Sequence, residues 1–278
     1  MRLGGLALLL ALAGCGVAQR GPVPPADHAG APPRVMSLNP CIDAILLAVA
    51  DPGQILSISH YSHDPRATSA PLDVARRFPA NGGTAEEVIA AGPDLVLLGS
   101  HVAPATQRAI ADAGVRVETV GVPATIEESR AQVLQVARAI GHEARGRRLL
   151  DRIDTALAAA RPAPGRSPVP ALIRLGGGLV PGQGTLADEL LARTGFRNMS
   201  HDYGLAMWDM LPLEPLIARP PHLLLTDGAG PGTREAMLAR VPGLRVADFP
   251  SRLLQCAGPN LIEAAGTLAT IRRGATGA

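Results

Sequence analysis

The chain has 278 residues, enough for two lobes of ordinary domain size or one large domain with a sizeable core, and a small scaffold held by staples is excluded. At 47% hydrophobic and 18% charged residues it is globular in composition, neither disordered nor collagen-like. The formal net charge is +2 and no long basic run exists, so the electrostatic footprint of a nucleic-acid binder is missing. All 26 basic residues are Arg, a compositional habit that says nothing about function. Only six side chains are aromatic: Tyr61, Phe78, Phe196, Tyr203, Trp208 and Phe249. The core must therefore be built from Leu, Val, Ile and Ala, and any exposed ring is informative.

Residues 1–15 open with Met-Arg, continue in a nearly unbroken apolar stretch from Leu3 to Ala13, and end in Gly14-Cys15. The run is too short for a permanent membrane span and suits a signal-peptide core. Leu12-Ala13-Gly14-Cys15 resembles the lipobox of bacterial lipoproteins, in which the Cys carries the lipid. The alternative is ordinary cleavage after the small residues Gly16-Val17-Ala18. Either way the mature protein is expected outside the cytoplasm, in the periplasm or on the outer face of the cell membrane, touching the membrane only through a lipid anchor. Residues 16–33, rich in Gly, Pro and Ala, read as a flexible linker.

Short apolar runs at 34–38, 55–59, 94–98, 115–120, 169–175, 222–226 and 244–249 alternate with helical stretches. That order implies an α/β architecture with mainly parallel sheets. Helices are expected over 126–140 and 143–160. In the second, Leu149, Leu150, Ile153 and Leu157 share one face, and the Arg-Pro-Ala-Pro-Gly run that follows should stop it. An internal repeat points to two lobes: residues 86–98 (EEVIAAGPDLVLL) align without a gap to 214–226 (EPLIARPPHLLLT), an offset of 128. Each copy reads as a short helix opened by an acid, broken by Pro and followed by a buried strand. The expected division is a signal peptide to 15, a linker over 16–33, an amino-terminal lobe over 34–141, a bridging helix over 142–163 and a carboxyl-terminal lobe over 164–278.

With these pieces in order, the sequence resembles the periplasmic substrate-binding proteins of ABC importers for cobalamin, ferric siderophores and haem. The carriers are residues 34–40 (RVMSLNP), 83–97 (GTAEEVIAAGPDLVL), the long helix, 186–198 (LADELLARTGFRN), and Glu214 with Pro221. The resemblance implies two Rossmann-like lobes joined by one long backbone helix, with a small-molecule ligand in the cleft between them. It further implies an inner-membrane ABC permease dimer with its ATPase as partner, and a monomeric binding protein. In relatives the acid opening each helix-strand unit meets Arg residues of the permease, which maps docking onto Glu86 and Glu214. The alternative for both is favourable charge at a helix start, worth about 1 kcal/mol or less.

Ligand sites in α/β sheets lie at the carboxyl ends of strands, here the loops near Asn39-Pro40-Cys41, His60 to Asp64, Gly99 to His101, Gly176 to Gly178, His201 to Trp208, and Leu253 to Gly258. Tyr61 and Trp208 fall where cobalamin-binding relatives place aromatic contacts, although Gly99 stands where those relatives carry another ring. Tyr203 is the third ring assigned to the cleft. His60, His63, His101 and His201 lie in the same loops and read as hydrogen-bonded loop residues, as contacts to a chelate, or as ligands to a bare metal ion; no metal site is assigned. Cys41 and Cys256 are left over once Cys15 is set aside for lipid. In an oxidising compartment a disulfide is the default, with ligand-facing thiols as the alternative.

Three functions compete: a binding protein that captures a metal chelate, an enzyme such as a secreted hydrolase, and a lipoprotein that keeps the fold without transport. Gly-x-Ser-x-Gly, phosphate-loop and His-Glu-x-x-His patterns are all missing, which disfavours the enzyme, and no cofactor is expected. The preferred ligand is a ferric siderophore or cobalamin, with haem beside them; a free zinc or manganese ion is the alternative. A stiff helical hinge predicts a small closure on binding.

Overall fold

The computed structural model describes residues 31–228, 238 and 240–276. The expected signal peptide, Cys15 and most of the linker lie outside the described residues.

The first sheet contains β1 (Val35–Ser37), β2 (Ile55–Ser59), β3 (Ala80–Asn81), β4 (Leu95–Gly99) and β5 (Arg116–Val120). Its order is β3-β2-β1-β4-β5 and every pairing is parallel. Helices α1 (Pro40–Val49), α2 (Leu72–Ala75), α3 (Ala85–Ala91) and α4 (Pro104–Asp112) connect its strands, followed by α5 (Ile126–Ala139) and α6 (Glu143–Ala159). The second sheet uses β6 (Val169–Ile173), β8 (Phe196–Asn198), β10 (Leu223–Thr226) and β11 (Arg245–Asp248), in the order β11-β10-β6-β8, again all parallel. Between them in sequence, β7 (Leu179–Pro181) and β9 (Trp208–Met210) form a separate antiparallel pair. Helices α7 (Leu186–Arg193), α8 (Leu213–Ala218), α9 (Arg252–Gln255) and α10 (Asn260–Thr276) complete the described residues. The result is an α/β protein of two lobes, each on a parallel sheet.

All seven strands expected from apolar runs form. Four more, β3, β7, β8 and β9, are two or three residues long, too short to carry a period. The repeat is realised in register: α3 and α8 begin at 85 and 213, and β4 and β10 at 95 and 223. Topology repeats as well, since β4 lies between β1 and β5 as β10 lies between β6 and β11.

Alternation along the central strands divides the core. Leu95 and Leu97, like Leu223 and Leu225, face a large cluster that also takes in Ile45, Val133, Leu149, Ile153 and Leu268. Val96 and Leu98 turn to a smaller cluster under α3, and Leu224 to its counterpart under α8. The large cluster runs through both lobes by way of α1, α5, α6 and α10, so the long helix is embedded between α5 and α10 and is no free-standing strut. Its buried positions include Leu149, Leu150, Ile153 and Leu157, the face read from the spacing. Gly146 permits the tight approach of α5 and α6, because a Cβ there would lie 2.5 Å from that of Ala137. A continuous apolar core between lobes resists wide opening, since separating them would expose it to water.

Candidate ligand-binding cleft

Parallel strands end on one edge of each sheet, and the two edges face a common cavity of about 640 Å³. The first lobe contributes Asn39, Cys41 and Ile42 after β1 and Val120 to Ala124 at the end of β5. The second contributes Leu175, Gly176 and Leu179, the start of α7 from Gly184 to Ala187, Met207 and Trp208, and Ser251 with Leu254 to Ala257. Among the described residues this wall carries no ionisable side chain; its polar groups are Asn39, Gln132, Thr185, Ser251 and Gln255. Asn39 is tied down as the cap of α1, its Oδ1 accepting from the N–H groups of Cys41 (2.8 Å) and Ile42 (3.3 Å).

Cys41 and Cys256 are joined in a disulfide, with Cα atoms 5.0 Å apart across 215 residues of sequence. The ligand-facing thiol pair is thereby replaced by a covalent bridge in the cavity wall. Hydrogen bonds reinforce it. Ser69 Oγ donates to the carbonyl of Arg252 (2.9 Å), Gln255 Nε2 to that of Arg66 (2.8 Å), and the N–H of Gly258 to Ser129 Oγ (2.9 Å). At the start of α5 the N–H of Ile126 donates to Glu189 Oε2 of α7 at 2.7 Å, a carboxylate placed where a helix start favours it.

The predicted site residues divide. Trp208, Cys41 and Cys256 line the cavity. Trp208 opens strand β9 and is no loop residue; it pairs with Pro181, and its side chain is 50% exposed. Tyr61 stands on the turn after β2, 53% exposed and tilted against the ring of His60 at 4.1 Å. That turn leaves the same sheet edge as Asn39, but Tyr61 and His60 are not part of the cavity wall. His60 Nδ1 lies 3.1 Å from the carbonyl of Asn81, and His63 Nε2 lies 3.2 Å from that of Ala75. His101 folds over Gly99, where a Cβ would come within 2.5 Å of its ring and 2.8 Å of Asn39 Nδ2. A larger residue at 99 would therefore displace both. Tyr203 stands apart from the cavity: its ring packs on the outer cluster of the second lobe, its hydroxyl donates to the carbonyl of Arg219, and burial raises its pKa. His201 is exposed on the same turn and is also absent from the wall.

The sequence reading missed Val122 and the β7–β9 pair; that pair holds Met207, which lies within the expected His201 to Trp208 segment, at the cavity. Val122 is 79% exposed in the loop after β5 and Met207 is 52% exposed. The rule that loops follow strand ends would have included 121–124; nothing local signals β9. Beneath the Tyr61 turn lies Asp43, fully buried, its Oδ2 accepting from the N–H of Ser59 (2.9 Å) and from Ser62 Oγ (2.6 Å). Burial outweighs these bonds and raises its pKa to about 7.

Two rigidly joined lobes with a shared cavity at their strand ends are the architecture of a solute-binding protein. A family model for periplasmic binding proteins matches residues 35–245, and the chain belongs to that family. Among solved structures it is similar to the periplasmic haem-binding protein BhuT in complex with two haems. That match has 26% identity over 87% of this chain and 98% of the other, with a TM-score of 0.68. The apo haem-binding protein RhuT from Roseiflexus sp. RS-1 matches at 24% identity, 87% and 99% coverage and a TM-score of 0.67. The vitamin B12-binding protein BtuF of Vibrio cholerae matches at 17%, 88% and 98%, and 0.68. No curated protein matches the chain in a sequence search. Family membership implies a periplasmic location.

Proposed function

We propose that the protein captures a metal chelate, of the ferric-siderophore, cobalamin or haem kind, and delivers it to an ABC permease, acting as a carrier and not as an enzyme. The observation that carries this reading is the half-exposed indole of Trp208 set in an uncharged cavity of about 640 Å³ between the lobes. A chelate brings its metal already coordinated, so an apolar wall suits it and a flat face can stack on the indole. A bare cation needs converging imidazole, thiolate or carboxylate donors. Among the described residues no three such side chains come together, and the thiols of Cys41 and Cys256 are consumed in a disulfide. Similarity to binding proteins for haem and vitamin B12 supports the same class. Glu86 and Glu214, both exposed at the starts of α3 and α8, are the proposed docking acids. A lipid on Cys15 would hold the protein at the membrane; mass spectrometry of the mature amino terminus tests that.

The main test is titration of the purified protein with cyanocobalamin, haemin, a ferric hydroxamate siderophore and zinc, read by Trp208 emission and by equilibrium dialysis. Saturable quenching by one chelate is expected. Tight saturable zinc binding without a response to any chelate would overturn the reading.

A further inference from the structure

Among the described residues, seven large apolar side chains are about half exposed or more: Tyr61, Ile89, Val122, Met207, Trp208, Met210 and Ile217. Five belong to the cleft end of the molecule. Val122, Met207 and Trp208 line the cavity, Met210 continues β9, and Tyr61 leaves the same sheet edge. The other two do not. Ile89, 49% exposed on α3, and Ile217, 50% exposed on α8, occupy equivalent positions of the internal repeat. Just before each in the repeat, Val88 and Leu216 are fully buried, so the two helices rest on their sheets in the same orientation. Three positions earlier stand the exposed acids Glu86 and Glu214. Residues three apart on a helix are surface neighbours. Each lobe therefore presents the same pair, an acid beside an isoleucine.

A single surface isoleucine is ordinary. Two at register-equivalent positions, each beside the acid already read as a docking residue, are not accounted for by the fold. We infer that each acid-isoleucine pair is one half of a composite docking surface for a permease of twofold symmetry, the acid meeting a cationic side chain and the isoleucine entering an apolar recess beside it. The two features divide the work: charge orients and accelerates encounter, whereas the buried apolar side chain slows release. This rests on the permease-delivery reading and adds its apolar component. The two copies select the partner, because one patch on each lobe matches a dimer that offers the same recess twice.

The experiment measures binding of the labelled full protein to its ABC permease reconstituted in proteoliposomes, at low and high salt. Its variants are I89S/I217S, the conservative I89L/I217L, and E86R/E214R. Burying each half-exposed isoleucine is worth roughly tenfold in affinity, so I89S/I217S is expected to dock about 100-fold more weakly at both salt concentrations. I89L/I217L should dock nearly as well as the parent, while ligand titration stays unchanged in all three and melting temperature in both isoleucine variants. E86R/E214R should lose docking and its dependence on salt. If I89S/I217S docks like the parent while E86R/E214R fails, docking is purely ionic and the apolar component is refuted, with permease delivery intact. If E86R/E214R docks like the parent, the docking acids themselves are wrong and the composite surface falls with them.

Discussion

Replacing both Cys41 and Cys256 with Ser removes the disulfide that crosses the cleft, and its cost follows from the length of chain it closes. The bridge spans 215 residues, for which loop-closure entropy gives about 5 kcal/mol of stabilisation at 25 °C, acting through the unfolded state. In a protein of this size that corresponds to a fall in melting temperature of about 10 °C or more. Both residues sit in the cavity wall, so the variant should also bind the proposed chelate more weakly: across the cleft the lobes then keep only noncovalent contacts, among them the Ser69, Gln255 and Gly258 hydrogen bonds. Chemical denaturation followed by far-ultraviolet circular dichroism measures the first effect and Trp208 emission the second. A loss of less than 1 kcal/mol with a single unchanged transition would refute the loop-entropy reasoning. Two separate transitions in the variant would show instead that the bridge is what makes the lobes unfold together.

Asp43 predicts a pH effect of definite sign. Its folded pKa, about 7, is raised above the ordinary 3.8, so the native state holds a proton that the unfolded state releases between those values. The contribution of Asp43 to stability is then greatest below pH 4, declines as pH rises toward 7 and levels off above it, by an order-of-magnitude 4 kcal/mol; D43N should remove this decline, and urea midpoints of both proteins from pH 4 to 8 check it. Because Asp43 also holds the Tyr61 turn through Ser59 and Ser62, D43A should in addition raise proteolytic cutting between 60 and 66. At Gly182 a Cβ would lie 2.1 Å from the carbonyl oxygen of Ala206, so G182A must push β9 away from β7. It should cost about 1–3 kcal/mol and weaken chelate binding; unchanged affinity would show that β9 does not shape the site. W208A should abolish the fluorescence response and lower affinity at least tenfold by dialysis, whereas Y203F, altering a ring packed on the outer cluster, should leave affinity unchanged.

Stiffness has a functional consequence. A ligand shifts the balance between open and closed forms only through its differential affinity for them. Here one apolar cluster continues through both lobes and a disulfide crosses between them, so a wide closure would first have to break core packing. Small-angle scattering should accordingly show a nearly constant radius of gyration on loading.

What the sequence by itself determined is the local periodic order. The seven apolar runs, the buried face of α6 and the 128-residue repeat were all legible, because alternation and the 3.6-residue period are written within a few turns of chain. The repeat even located the two acids that open α3 and α8. Only the tertiary structure decided the rest. The Cys41–Cys256 disulfide was the default expectation from cysteine count and compartment, and the structure closes the ligand-facing-thiol alternative by bringing two segments 215 residues apart together across the cleft. Of the three rings assigned to the cleft, Trp208 lines the cavity while Tyr203 packs on the outer face of its lobe, although five residues separate them. That difference comes from the β7–β9 pairing, whose strands of three residues are too short to announce themselves. A long-range backbone ladder thus selected which aromatic side chain lines the cavity.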